Sequence, residues 1–300
     1  MVSLWSVLCG EWPRENKSIV RVNLSRTGWH DQSCDALDLM IGRNKHIQEL
    51  DLDQLDVSGE DVLASISSAL AHNSELKRLS FRENDIGEFA VRILSKALVI
   101  HPSLQHLDLS NCRFAGSTGV LSLAEGLGKN RSLTTISLEA CKLGDEGTVS
   151  IARAIQLNRT LQSIDLCDNG IGLEGLTTLV NGMEQNDMLQ SVYLQGNDVC
   201  DEGALLLRSL LREKNKTIRV MFIGYKDIDL QTELQYYGHI NYAGRKYIGN
   251  VKVARSLWPR ILERASQHVD MLMFLVRQRP ELFQRAGARH GMKRSLDEIS

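Results

Sequence analysis

A short apolar-x-apolar triplet recurs along the whole chain at a nearly constant interval. Its eight copies run from Val22-Asn23-Leu24 to Val220-Met221-Phe222, and successive copies are 28 or 29 residues apart. Self-similarity at such a period is typical of repeat proteins, in which each unit buries its apolar face against its neighbours. The chain is therefore expected to fold as a stack of similar units.

Each repeat changes its hydrophobic period after the triplet. The alternation within the triplet predicts a strand with one buried face. Further along each repeat, apolar or small residues are spaced four apart, as at Gly147, Ile151 and Ile155, which is one stripe of a helix. The small first residue is expected to let the helix pack closely on the strand layer. The repeat unit is therefore predicted to be one strand followed by one helix.

An asparagine recurs at the predicted end of each helix, with His101 in its place in one copy. Asparagine tolerates the left-handed conformation, so it is predicted to close the helix as a C-terminal cap. Three of these asparagines begin Asn-x-Ser/Thr triplets, which we interpret as structural and not as glycosylation sites. The recurrent residues are Asn44, Asn73, Asn130, Asn158, Asn186 and Asn215.

A second marker follows the last apolar residue of each triplet by three positions. The spacing of these markers resembles that of a leucine-rich repeat, which implies that the position faces inward and bonds the loop backbone; a small thiol can also fill it. Cys112 and Cys141 are therefore predicted to be structural, and all six cysteines to be reduced. The terminal copies carry Thr27, Leu55 and Tyr225 here, as expected of capping repeats. The internal markers are Asn84, Cys112, Cys141, Asn169 and Asn197.

The segments Asn84-Asp-Ile-Gly, Cys141-Lys-Leu-Gly-Asp-Glu-Gly and Asn169-Gly-Ile-Gly-Leu-Glu-Gly resemble the repeats of ribonuclease-inhibitor-like leucine-rich-repeat proteins. The resemblance covers residues 19–225. It implies an α/β fold, a right-handed horseshoe-shaped solenoid with parallel strands on the concave face and helices on the convex face. Residues 1–18 are then an N-terminal flank.

Residues 226–300 leave the repeat and are predicted to be helical. Helices are expected over Leu230 to Ile248 and from Ser256 to about Arg277. The segment either caps the open end of the solenoid or forms a separate docking module. Residues 245–300 carry a net charge of +7 and residues 1–244 of −9, so the two parts differ in the partners they would attract.

Strand residues beside the buried ones are expected to point into the concave arc. Acidic residues outnumber basic ones there, and Tyr193 and Met221 give the C-terminal end an apolar character. This pattern predicts a partner protein with a basic surface, anchored near Tyr193; alternatively, the acids are ordinary fillers of the repeat. The predicted binding residues are Glu49, Asp51, Asp53, Arg78, Arg82, Asp108, Glu139, Asp165, Tyr193, Gln195 and Met221.

The sequence lacks the common catalytic motifs for nucleotide binding, nucleophilic catalysis and zinc-dependent proteolysis. His101 and His106 are interpreted as surface residues. The predicted function is a non-catalytic scaffold for protein binding, without metal or cofactor. Two alternatives stay open, namely a GTPase-activating protein of the Ran type acting through Arg82 and Asn84, and a regulatory or sensor protein in signalling or innate immunity.

Composition favours a cytoplasmic monomer. No apolar stretch approaches the roughly 20 residues of a membrane span, and the N-terminus lacks the basic start and long apolar core of a signal peptide. The acidic repeat region argues against a nucleic acid as the partner.

Overall fold

The computed structural model describes residues 17–27, 40–42, 44–55, 65–66, 69–70, 72–114, 116–224 and 228–242. Most of the N-terminal flank, Tyr225 and the helix predicted from Ser256 lie outside these residues. The chain divides into two compact units, Met1–Gly238 and His239–Ser300. Of the second unit, only residues 239–242 are described.

Eight of the ten described strands form one parallel sheet, in which every strand pairs with the next repeat's strand. In chain order the strands are β1 (Arg21–Asn23), β2 (Glu49–Asp51), β3 (Arg78–Ser80), β4 (Asp85–Ile86), β5 (His106–Asp108), β6 (Arg113–Phe114), β7 (Thr135–Ser137), β8 (Ser163–Asp165), β9 (Ser191–Tyr193) and β10 (Val220–Phe222). The other two, β4 and β6, pair in a small second sheet. The middle residue of each main strand from β2 to β10 is buried.

The helices follow the strands along the chain. They are α1 (Glu88–Ile100), α2 (Gly116–Lys129), α3 (Gly144–Leu157), α4 (Leu173–Glu184), α5 (Asp201–Ser209) and α6 (Ile228–Tyr242), and a π-helical turn, Leu210–Lys214, follows α5. Packed helices need about 8–10 Å each whereas strands lie about 4.8 Å apart, so the stack curves with its strands inside. The α/β solenoid with strands on the concave face is confirmed. Among the described residues, no helix is both long and apolar enough to cross a membrane.

The predicted helical stripes form the core. Ile151 and Ile155 of α3, for example, are fully buried. A glycine begins four of the stripes. At Gly175 and Gly203 it lies against the preceding helix, whereas we expected it to lie against the strand layer. A Cβ on Gly175 would lie 3.0 Å from the Cα of Asp145, at the start of α3. Gly182 makes a second close approach, since its Cβ would lie 2.5 Å from the carbonyl oxygen of Ala152.

The recurrent asparagines close the helices by another mechanism than the left-handed cap that we expected. Asn158 and Asn215 have extended backbones, with φ of −72° and −88°. The Asn158 side chain accepts hydrogen bonds from the N–H groups of Thr160 and Leu161, at 2.8 and 2.7 Å. Its Nδ2 donates to the carbonyl of Leu127 in the previous repeat, at 2.6 Å. The asparagines therefore form a buried ladder that joins consecutive repeats.

His101 occupies this ladder in one repeat, so its interpretation as a surface residue was wrong. The side chain is buried, and its Nδ1 accepts from the N–H of Leu104 at 3.1 Å, as an asparagine oxygen would. The other ring nitrogen, Nε2, is buried and has no hydrogen-bond partner among the described residues. Burial lowers the pKa of His101 to about 4.

The second set of markers plays its predicted structural role. The Asn84 amide donates to the carbonyls of Leu52 and Phe81 and accepts from the N–H of Leu55. The thiols of Cys112 and Cys141 donate to the equivalent carbonyls, at 3.0 and 3.1 Å. Both cysteines are buried and free. Burial raises the pKa of Cys112 above its usual range and that of Cys141 to about 12, so both stay protonated at neutral pH.

The register of the last repeat differs by one residue from the predicted one. Met221 pairs with Val192 and is buried, whereas Phe222 pairs with Tyr193 and is 39 % exposed. Ile223 is also buried. The extra residue is absorbed by the π-helical turn, in which the N–H of Asn215 bonds the carbonyl of Leu210 at 2.7 Å, five residues back. Met221 therefore belongs to the core and not to the concave surface.

This register gives a direct stability test. Met221→Ala should lower the free energy of unfolding by about 2 kcal/mol, because it leaves a cavity in the core. Phe222→Ala should lower it by about 1 kcal/mol or less, because this side chain is 39 % exposed and mainly loses its stacking on Tyr193. Urea denaturation followed by circular dichroism measures both losses. A larger loss for Phe222→Ala than for Met221→Ala would support the register predicted from the triplet.

Helix α6 covers the last strand with its first residues. Leu234 is buried, and Gln231 Nε2 donates to the carbonyl of Met221 at 3.3 Å. A Cβ on Gly238 would lie 2.2 Å from the carbonyl oxygen of Arg219, so the helix backbone lies directly against the strand entrance. An ion pair of 2.8 Å between Arg208 and Glu233 adds a surface contact. Residues 228–238 thus shield the final strand, as expected of a cap.

Candidate functional site

Three rows of side chains form the helix-free face of the sheet, which we call the concave face. They come from the residues one before, one after and three after the buried residue of each strand. Ten of the eleven predicted binding residues lie in these rows and are exposed or half-buried: Glu49, Asp51, Asp53, Arg78, Arg82, Asp108, Glu139, Asp165, Tyr193 and Gln195. Met221 does not, and Phe222 takes its place.

The spacing from the ladder residues predicts that Phe222 lies on the surface, although the apolar triplet does not. In every internal copy the buried strand residue follows the ladder residue by six positions, as Val192 follows Asn186. Counting six from Asn215 gives Met221 as the buried residue and leaves Phe222 on the surface. The ladder therefore fixes the register better than the apolar triplet does.

The carboxylates of β2 to β5 are mostly bonded within the protein. Arg21 donates to Asp51 through Nη2 at 2.7 Å, and Arg82 donates to Asp108 at 3.1 Å. Asp53 accepts from the hydroxyl of Ser80 at 2.5 Å and from the backbone N–H of Arg82 at 2.9 Å. The attraction of these acids for a basic partner is therefore partly neutralised by the chain's own arginines.

A shallow groove of about 590 Å³ runs across β1 to β7 between these charges. Arg78 and His106 line it together with the paired acids. Burial lowers the pKa of His106, and the neighbouring Arg78 adds to the effect, so this imidazole is neutral near pH 7. The groove is open and polar, which suits an extended segment of a partner protein better than an enclosed small molecule.

Arg82 and Asn84 do not form the exposed pair that a GTPase-activating site would need. Asn84 is buried, and its side-chain amide is used within the repeat loops. Arg82 forms its ion pair with Asp108 and lies 4.0 Å from Glu139. The arginine is thus held along the sheet and Asn84 is a structural residue.

The C-terminal end of the concave face has a different chemistry. Tyr193 and Phe222 stack on one another, with ring centroids 5.8 Å apart and an interplanar angle of 10°. Asp165 is the register neighbour of Tyr193 on the other side. Its Oδ1 accepts from the backbone N–H of Cys167 at 3.0 Å. This pair, of which Phe222 is exposed and Tyr193 half-buried, lies beside a carboxylate and is the main aromatic feature of the described concave face.

Cys167 also lies on this face but is a poor candidate for a nucleophile. Its thiol lies 3.0 Å from Oε1 of Gln195. Burial raises its pKa to about 12, with Asp165 contributing in the same direction. The thiolate needed for nucleophilic attack is therefore scarce at neutral pH. The described residues include no cluster of histidine, cysteine and acidic side chains that could hold a metal ion.

Family models agree with the repeat architecture. Two models described as leucine-rich repeats match residues 103–125, 129–152 and 157–180. These matches coincide with the central strands and helices of the parallel sheet. Residues 103–180 thus contain leucine-rich repeats. The ribonuclease-inhibitor-like subtype is compatible with this assignment.

Several known proteins are similar to this chain over its repeats. NACHT, LRR and PYD domains-containing protein 13 of Homo sapiens is 29% identical over 44% of this chain and 12% of its own length. Protein 9 of the same name series, from Bos taurus, is 38% identical over 38% of this chain and 11% of its own length. Protein TORNADO 1 of Arabidopsis thaliana is 28% identical over 43% of this chain and 10% of its own. The chain therefore spans about a tenth of the length of these relatives.

Solved structures show a weaker likeness. The structure titled Leiomodin-1 Actin-Binding Site 2 aligns with a TM-score of 0.48 and 16% identity, over 53% of this chain and 91% of that one. A tropomodulin C-terminal domain from Caenorhabditis elegans aligns with a TM-score of 0.34 and 14% identity, over 61% of this chain and 93% of that one.

Proposed function

We propose that this leucine-rich-repeat chain is a non-catalytic protein-interaction module that binds a partner protein through its concave face. The observation that carries the proposal is the stack of the half-buried Tyr193 on the exposed Phe222. Large aromatic side chains exposed on a rigid sheet bury much area at low entropic cost, and they dominate binding energy in many interfaces.

The rest of the concave face supports this role by its rigidity. The ladder asparagines and the loop markers bond each repeat to the next, so the surface rows are held in a fixed spacing. A fixed surface loses little conformational entropy on binding, which favours affinity. The groove over β1 to β7 lies on the same face, and its charged side chains offer contacts for the remainder of the partner.

A role as a regulatory or sensor protein is a narrower version of the same proposal. Similarity to proteins named for NACHT, LRR and PYD domains favours it. A plant protein matches at comparable identity, however, so the similarity is not confined to proteins of that name series. The binding proposal does not depend on it.

The proposal is tested by capture of a partner from the native cell extract. The full chain is compared with a double variant, Tyr193→Ser and Phe222→Ser, and with a matched control, Phe89→Ser and Leu205→Ser, which removes exposed apolar side chains from the helices. Each aromatic truncation at the centre of an interface costs about 2 kcal/mol or more, so capture by the double variant should fall at least about tenfold.

The control variant should capture the partner as the unmodified chain does. Equal capture by the unmodified chain and the concave variant, with loss in the control, would move the binding site to the helices and refute the proposal. Circular dichroism of all three proteins confirms that they are folded.

A further inference from the structure

One row of the concave face consists of the residues one after the buried residue of each strand. It contains three aspartates, which differ in their ion pairs. Asp51 and Asp108 each receive an arginine of this chain, Arg21 and Arg82 respectively. Asp165 has no basic side chain within ion-pair distance among the described residues. Its carboxylate accepts from the backbone N–H of Cys167 through Oδ1 and interacts with the thiol of the same residue. Two of the three aspartates therefore bind a guanidinium of this chain, whereas Asp165 binds none in its described part.

Tyr193 borders Asp165 on one side. Phe222 stacks on the face of the Tyr193 ring that looks toward β10, so the opposite face looks toward β8 and Asp165. Neighbouring strands are about 4.8 Å apart, which brings the ring face and the carboxylate within the span of one planar group. The flanking residues Ser137, Ser163 and Ser191 are small and leave room above the sheet.

The acidic charge of this end of the face is only partly compensated, because Glu139 lies 4.0 Å from Arg82 whereas Asp165 has no ion pair among the described residues. In the three rows of β7 to β10, the only charged side chains are Glu139 and Asp165, both acidic. The rows of β1 to β5 instead contain Arg21, Arg78 and Arg82 next to their acids. A cationic group from outside would therefore meet its strongest complementary charge beside the aromatic stack.

We propose that Asp165 and Tyr193 form a site for an arginine side chain of the partner protein. The guanidinium plane stacks on the open face of Tyr193 and donates to the carboxylate of Asp165, with Glu139 adding a longer-range attraction. Arginine fits better than lysine because its planar fork can stack and donate at the same time, whereas an ammonium is a compact point charge. This inference rests on the proposed function and names the chemistry that the concave face selects.

The test uses the full chain and a defined probe, acetyl-Gly-Arg-Gly-amide, in a ¹H–¹⁵N NMR titration. Two matched probes carry lysine, or the neutral isostere citrulline, in place of arginine. Shift changes are expected at residues of β8, β9 and β10, with affinity for the arginine probe about fivefold or more above that for either control probe. Citrulline loses the positive charge, and lysine loses the planar group that can stack and donate at the same time. Equal affinity for the three probes would overturn the proposal.

Three variants locate the site. Asp165→Asn keeps the oxygen that accepts from Cys167 and removes only the charge, and Tyr193→Leu keeps the apolar bulk and removes the ring. Both should abolish the preference for arginine. Asp51→Asn, which changes an aspartate already paired with Arg21, should leave it unchanged. An unaltered preference in the Asp165→Asn protein would refute the site.

The outcomes separate this inference from the proposed function. Partner capture that is lost in the Tyr193→Ser and Phe222→Ser variant but unaffected by Asp165→Asn retains the concave interface and rejects the arginine site. Capture that survives the aromatic variant rejects both.

Discussion

Replacement of Asn158 by alanine lowers the free energy of unfolding by about 3–5 kcal/mol, the largest effect that we expect from a single substitution in this chain. The side chain accepts from two backbone N–H groups and donates to the carbonyl of Leu127, all at 2.6–2.8 Å. Alanine leaves these buried groups without partners, and each unsatisfied group costs about 1–3 kcal/mol. Urea denaturation of the two proteins at pH 7 measures the difference.

Gln162→Ala is the matched control. This exposed residue lies just after the same turn, and its backbone groups, which the substitution keeps, bond Thr134 and Gln190 of the neighbouring repeats. It should change stability by less than about 0.5 kcal/mol. A loss below 1 kcal/mol in the Asn158→Ala protein would mean that water replaces the ladder bonds and that the ladder is not a major source of stability.

Acidification from pH 7 to pH 4 removes about 2–3 kcal/mol of stability through His101 alone. Burial lowers the pKa of the folded-state imidazole to about 4, whereas an unfolded histidine titrates near 6.5. Below pH 6.5 the imidazole of His101 binds a proton in the unfolded chain but not in the folded chain. Unfolding therefore becomes more favourable as the pH falls. The loss levels off below about pH 4, where the folded form also takes up the proton.

His101→Asn should abolish this acid-dependent loss of stability. It should also raise the free energy of unfolding at pH 7 by about 1 kcal/mol. An asparagine at this position would keep the acceptor for Leu104 and supply a donor for the carbonyl of Leu70, which corresponds by repeat to Leu127 for Asn158. The histidine Nε2 makes no such bond. The extended backbone at residue 101 is the conformation that the asparagines share, and it suits the following Pro102.

The measurement is a pair of urea titrations at pH 7 and pH 4.5 on the unmodified chain and the His101→Asn variant. The difference in stability between the two proteins should grow as the pH falls. A constant difference would show that His101 titrates in the folded protein as it does in the unfolded one. The exposed His72→Asn variant serves as the control and should follow the unmodified chain.

The positions of the loop bonds illustrate where sequence reasoning succeeded. The markers Asn84, Cys112 and Cys141 were expected to face inward, and each bonds the backbone carbonyl that the repeat provides. The period alone suffices here, because a polar or small residue that returns in phase with a buried strand must sit at the same place in every turn of the stack.

Backbone conformation was predicted less well. The left-handed residues that the sequence placed at the ladder asparagines occur instead just before the loop markers, as at Glu83 and Asp168, with φ of 57° and 55°. Glutamate and aspartate do not predict this conformation from their sequence alone, because the tight turn between the strand and the marker imposes it. Asparagine propensity could not reveal it, because the same side chain serves caps, turns and interrepeat bonds.

The sequence by itself determined the solenoid, its strands and helices, the inward-facing markers and most of the concave residues, because these depend on a period that every repeat shares. Tertiary structure alone decided which concave acids are already paired, that His101 is buried, and that Phe222 and not Met221 meets the solvent. Those outcomes depend on contacts between neighbouring repeats and on one residue absorbed in a π-helical turn, and a single-residue change of register exchanges the buried and exposed sides of a strand.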